Sequence, residues 1–223
     1  MSKPTGIANI TTAIVALLAC TAFCFTIFGT NWVHTSTQVV RNQMSYDQEG
    51  LWKKCRGVLQ PGQRISDIEL TCDSNYASIR LSDKPIWLVM NQFLIPIAAG
   101  LTCFAVITSI LGHPVMTKFN MNPATMIGMT AVFISVAGIC GLVGTSYCVN
   151  AAINNKIQVR KVPKKNPLQI YSNGWCSILA MITSILCILW SIFTFKKCAD
   201  RKSDDKNDDY TGGREMTRTS SWN

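Results

Sequence analysis

Residues 7–29 read IANITTAIVALLACTAFCFTIFG, without one charged side chain. A bilayer core takes about 20 mostly apolar residues of helix to cross it, and this run supplies them. Residues 86–111, 124–149 and 174–195 are three more uncharged runs of the same kind, with Asn91 and Gln92 making the outer end of the second polar. One such run could be the buried helix of a large soluble protein. Four in 223 residues argue against that, and only 15% of the chain is charged, below the usual quarter. The first run is also too long for the apolar part of a signal peptide. Ser2-Lys3-Pro4 leads it with one basic side chain, and no small-x-small site follows before Asn31-Trp32, so it reads as an uncleaved anchor. The expected class is membrane α-helical: a left-handed four-transmembrane-helix bundle in the lipid bilayer.

Four spans place residues 1–6, 112–123 and 196–223 on one side and the loops 30–85 and 150–173 on the other. The positive-inside rule does not orient them. The two loops carry seven and five Lys and Arg, against Lys3, Lys118 and seven more in the tail, and long loops cross regardless of charge. The cysteines are more informative. Of ten, seven lie inside the spans and Cys198 sits just past the fourth. Cys55 and Cys72 are the one pair in a polar loop. Disulfides persist in oxidising compartments, so loop 30–85 is expected outside the cell and both termini in the cytoplasm. Closing residues 55–72 would stabilise the loop by about 3 kcal/mol. Two free loop thiols are the alternative.

Loop 30–85 has the pattern of strands. Val33, Thr35, Thr37, Val39 and Val40 recur in the stretch 32–40, Gly50-Leu51-Trp52 opens a second run, and Ile65, Ile68 and Leu70 lead into Cys72. Pro61-Gly62 marks a turn, so the two cysteines would join the arms of a hairpin. Pro85 suits the first turn of the second span. The tail 196–223 mixes Asp204-Asp205 and Asp208-Asp209 with basic residues and has no apolar period, which predicts disorder.

The constellation Trp32, Gly50-Leu51-Trp52, Cys55, Cys72, between the first two of four spans, resembles the signature of the claudins and their four-span relatives. Ala137-Gly138-Ile139-Cys140-Gly141-Leu142-Val143-Gly144-Thr145-Ser146 is similar to the claudin third helix, and Gly174-Trp175 to the start of the fourth. The resemblance covers residues 7 to about 198. It implies a small extracellular antiparallel sheet, four strands from the first loop and one from the second. It also implies plasma-membrane residence at tight junctions, calcium-independent adhesion, and a paracellular barrier or channel built by cis and trans assembly with like or related claudins. In cation-conducting members an acidic residue just after the second signature cysteine faces the pore, which here is Asp73. A solvated surface aspartate is the plainer reading of it, and Lys156, Arg160, Lys161, Lys164 and Lys165 of the second loop would oppose a cation preference.

Gly138, Gly141 and Gly144 recur at every third position, as small residues do where membrane helices approach closely. Trp32 and Trp52 suit the membrane–water interface. Cys198, after Lys196-Lys197, is a candidate palmitoylation site, an idle juxtamembrane thiol being the alternative. The segment 55–72 is longer than claudins typically have. The tail ends Ser221-Trp222-Asn223, without the terminal hydrophobe that fills a PDZ pocket, which argues against that scaffold.

A four-span accessory subunit, like the calcium-channel gamma or peripheral myelin proteins, shares the Trp-Gly-Leu-Trp-Cys-Cys framework. Those relatives usually carry a glycosylation sequon in the first loop. The only match here, Asn9-Ile10-Thr11, falls in the first span. An enzyme is not expected: His34 and His113 fall on opposite sides, and there is no nucleophile motif, metal-ligand cluster or phosphate loop. No cofactor follows from the sequence. The net charge of +9 is divided among loops on both sides, which argues against nucleic acid.

Overall fold

A computed structural model describes residues 4–38, 44–60, 68–73, 84–119, 123–161 and 169–219. In chain order the elements are α1 (Pro4–Phe28), β1 (Val33–Gln38), β2 (Met44–Glu49), β3 (Lys54–Leu59), β4 (Thr71–Asp73), α2 (Ile86–Phe119), α3 (Pro123–Lys161), β5 (Gln169–Asn173) and α4 (Trp175–Thr219). Four stretches are long and apolar enough to cross a membrane: Ile10–Phe28, Ile86–Ile110, Thr125–Ile153 and Trp175–Ala199.

The bundle interior combines many small residues with a few large ones, Phe23, Leu88, Ile95 and Ile134, and its outer surface is large and apolar. Ala16, Ala98, Ala105, Ala131, Ala137 and Ala180 are fully buried, while Leu18, Phe25, Phe104, Ile139 and Leu186 stand exposed on the outer surface. In water that arrangement would waste the apolar side chains. In lipid it is the expected one, because hydrocarbon solvates Leu and Phe and helix association rests on close backbone approach.

The three α3 glycines lie along that approach. A Cβ on Gly138 would come within 2.8 Å of Ile188 and 2.9 Å of the Ser184 carbonyl. One on Gly141 would overlap the Ser184 hydroxyl and press on the Phe23 ring, and one on Gly144 would lie 2.8 Å from Asn91 Oδ1. Successive glycines therefore seat α4, then α1 and α4 together, then α2. The fully buried Asn91 fixes the last contact by donating from Nδ2 to the carbonyls of Trp87 and Gly144, at 2.7 and 3.0 Å.

The helices run further than the apolar runs. Within the turn expected over 112–123, α2 continues to Phe119 and α3 starts at Pro123. On the sheet side α3 continues past its span to Lys161, taking in the first part of the loop expected from residue 150. The tail expected to be disordered is helical from Lys196 to Thr219 as the continuation of α4. A helix already nucleated in the membrane propagates without the cost of a new first turn, which composition alone does not register.

The sheet has the order β4-β3-β2-β1-β5, and every neighbouring pair is antiparallel. Four strands come from the first loop and β5 from the second, as the claudin resemblance implies. The Gly50-Leu51-Trp52 run is an exception among the strand expectations. It is the connection between β2 and β3, closed by a Gly50 amide bond to the Lys53 carbonyl at 2.9 Å. Of the strand expected to lead from Ile65 into Cys72, Thr71–Asp73 is strand and Ile68 and Leu70 are not. Val39, Val40, Pro61, Gly62 and Ile65 lie outside the described residues.

Candidate functional site

The signature residues sit where the sheet meets the helix ends, and each helix contributes to holding them. Trp32 is fully buried, and its indole Nε1–H donates to the Thr26 carbonyl of α1 at 2.7 Å. The Trp32 carbonyl accepts the Gly174 amide at the start of α4, at 2.8 Å, and lies 3.9 Å from the Cys148 sulfur of α3. From α2, the Gln92 side-chain amide donates to the carbonyl of the buried Leu51. Backbone bonds close the same corner: Trp32 N to the Glu49 carbonyl and Cys176 N to the Asn31 carbonyl, both at 3.0 Å.

Two glycines allow this. A Cβ on Gly50 would stand 2.6 Å from the Gly29 carbonyl and 2.7 Å from Thr30 Cα. One on Gly174 would overlap the Asn31 carbonyl outright. Both obstacles are backbone, so no rotamer relieves them. Trp52, next to Leu51, packs half-buried against the core.

The disulfide follows one row further along the sheet. Cys55 of β3 and Cys72 of β4 are cross-strand partners with Cα atoms 3.9 Å apart, and they are bonded. The bond ties the short edge strand β4 to its neighbour β3, to which three residues of pairing would hold it weakly.

On the opposite face the register places charges in rows. Glu49, Lys54 and Asp73 lie side by side across β2, β3 and β4, and Asp47 and Arg56 in the next row. Lys54 Nζ bonds Glu49 and lies 3.5 Å from Asp47, whose other neighbour is Arg56 Nε at 3.5 Å. Asp73, the pore candidate, is exposed and stands opposite Lys54. Among the described residues the strip therefore carries three carboxylates and two cations.

The disulfide face also bears His34 and Tyr46, their rings stacked at 5.4 Å with Tyr46 Oη 2.7 Å from His34 Nδ1. Burial pushes the His34 imidazole below its ordinary value of 6.5. Sequence reasoning passed over this pair and the anchoring amides, although Asn91 and Gln92 were visible as the polar end of an apolar run. Cys198 lies on the α4 continuation at the end of the bundle away from the sheet. Ser221, Trp222 and Asn223 lie outside the described residues. No group of three or more His, Cys, Asp or Glu disposed to hold a metal occurs among the described residues.

Four membrane-spanning helices capped at one end by a disulfide-closed sheet, drawn from both loops on that side, define a class of four-span membrane protein. The family model for the PMP-22/EMP/MP20/Claudin tight junction proteins matches residues 17–195, and the chain belongs to that family. Comparison with curated proteins returns no match.

Proposed function

We propose that the protein is a claudin-like junction component. Its sheet lies outside the cell, and homotypic assembly through that sheet mediates adhesion and forms a paracellular barrier or channel. The observation that carries this reading is the way the sheet is held. Contacts from all four helices fix its inner end, so its outer end is presented in one orientation to a neighbour. A rigid platform binds with less ordering cost than a mobile loop. The disulfide supports the exterior placement, since such bonds persist in oxidising surroundings.

Asp73 is proposed to contribute to ion preference as part of the strip with Glu49 and Asp47, not as an isolated charge. Lys54 and Arg56 offset much of the field, leaving a modest bias toward cations.

Mixed culture provides the test. Fluorescently tagged protein in contact-forming fibroblasts should concentrate at borders between two expressing cells and stay diffuse where an expressing cell meets a non-expressing one. Equal density at both borders would contradict homotypic adhesion and favour an accessory subunit, which co-purification with a stoichiometric membrane partner would then reveal.

A further inference from the structure

Unlike the seams that α3 closes with glycines, the seam between α1 and α4 is open. A groove of about 370 Å³ runs along it, walled by Val15, Leu18 and Ala19 on α1 and by Leu186, Leu189 and Phe193 on α4. Away from the sheet it meets a second cavity of about 30 Å³, with which it shares Trp190 and Phe193 as walls. Thr11 and Thr12 of α1 and Lys197 of α4 complete that cavity. From Lys197 to Thr183, the far wall of the groove, α4 rises about 21 Å. That is the depth of one leaflet with its polar region, half of a bilayer about 40–45 Å thick.

The track carries polar groups at one end only. Trp190 walls both cavities, and its indole Nε1–H is buried without an acceptor among the described residues. A buried donor of this kind calls for a partner. The hydroxyls of Thr183 and Thr194 are engaged on their own helix, donating to the Leu179 and Trp190 carbonyls at 2.8 Å. Lys197 is exposed at the mouth, and no acidic side chain lines either cavity.

We infer that the α1–α4 seam binds one anionic glycerophospholipid of the adjoining leaflet. An acyl chain lies in the groove, an ester carbonyl accepts from Trp190 Nε1–H, and the phosphate-bearing headgroup meets Lys197. Apolar wall, unmet donor and cation follow each other in the order in which such a lipid presents chain, ester and phosphate. A span of a second copy does not match that order. The carbonyls of a membrane helix are bonded within it, and none of the four spans holds an acidic residue to meet Lys197. A zwitterionic lipid supplies chain and ester but no net charge. In the proposed orientation this end faces the cytoplasmic leaflet, where anionic lipids collect. The bound lipid closes the one seam that the α3 glycines do not reach.

The full chain is reconstituted in phosphatidylcholine vesicles containing a trace of phosphatidylserine with a mid-chain diazirine, or the same share of a phosphatidylcholine analogue. After photolysis, adducts of the serine probe should concentrate at residues 15–19 and 183–193. Their yield should exceed that of the choline probe about fivefold, the effect of one basic side chain on an anionic headgroup. Lys197→Gln should abolish this preference and keep the choline yield. Lys196→Gln, whose side chain is not a wall of either cavity, should preserve the preference. Trp190→Phe should lower the yield of both probes at these positions. Ala19→Trp should remove the groove adducts while those on α2 and α3 persist. Equal yields for the two probes, or adducts spread evenly over the lipid-facing surface, would overturn the proposal. So would a preference lost equally in Lys196→Gln, which would report surface charge alone. Both leaflets of the vesicle have one composition, so the outcome is independent of orientation and of junction assembly.

Discussion

The inner corner of the sheet and the charged strip on its face lie within a few residues of each other and are held in different ways. At the corner, Trp32, Leu51, Gly50 and Gly174 meet backbone or buried side chains on every side, and Thr26, Gln92 and Cys148 reach them from three helices. On the strip, Asp47, Glu49, Lys54, Arg56 and Asp73 hold each other by ion pairs and register, with Arg56 largely exposed. The corner tolerates almost no change in shape. At its outer edge the strip tolerates change in charge, because Arg56 and Asp73 are exposed and an exposed ion pair contributes about 1 kcal/mol or less. Lys54, Asp47 and Glu49 are mostly covered and are held more tightly.

The largest effect that would break this contrast belongs to Gly174→Ala. Its methyl group overlaps the Asn31 carbonyl, and overpacking against backbone costs about 3 kcal/mol or more. The expected outcome is retention of the protein inside the cell and loss of a monodisperse detergent-solubilised species; normal surface expression would show that the corner is soft. Next come Cys55→Ser and Cys72→Ser, each removing a loop constraint of about 3 kcal/mol. Thermal unfolding should then show the sheet melting ahead of the helices, and the double variant should be no worse than either single one.

How much of this was legible from the residues follows the same divide. The spans were readable because each is about 20 uncharged residues, a requirement imposed by the bilayer and not by any partner. The Cys55–Cys72 hairpin was readable because the pair stood alone in a polar loop. Strand β2, MSYDQE, was not. It has no run of β-branched residues and is a strand because β1 and β3 pair with it on both sides. Gly50-Leu51-Trp52 looked like the start of a strand for the opposite reason, its apolar side chains serving a turn buried against Gly29 and Thr30. Of the groups that anchor the corner, Gln92 showed only as a polar residue in an apolar run and the Thr26 carbonyl carries no pattern at all, since the partners that meet them are brought near by folding. Asp73 was found by resemblance, but its pairing with Lys54 depends on register, which separates them by nineteen positions in the chain.

A moderate effect is expected from Trp32→Phe, which keeps an aromatic ring but abandons the Thr26 carbonyl. Loss of a buried hydrogen bond costs about 1–2 kcal/mol, measurable as a lower unfolding temperature with surface delivery preserved. On the strip, Asp73→Asn should leave the unfolding temperature nearly unchanged, while Lys54→Gln should lower it modestly because Glu49 and Asp47 lose their mostly covered partner. The two should move dilution potentials in opposite directions, Asp73→Asn toward anions and Lys54→Gln toward cations. Shifts of the same sign would mean that the strip does not act as one field.

The smallest effect concerns His34. The folded state holds its imidazole neutral below the ordinary 6.5, while the unfolded chain takes up a proton there. More protons bound in the unfolded state means that stability falls as pH drops through that value and is fully present above it. His34→Gln should flatten the decline in sheet unfolding temperature between pH 7 and pH 5, and an unchanged slope would place the titrating group elsewhere.

The central claim is that a rigidly seated sheet lets copies of this chain assemble into a continuous junctional structure. Freeze-fracture imaging of fibroblasts that lack tight junctions, after expression of the full chain, tests it most directly. The account predicts continuous intramembrane strands at contacts between expressing cells, lost in Gly174→Ala and kept in Asp73→Asn. Dispersed single particles, with the protein folded and at the cell surface, would contradict it.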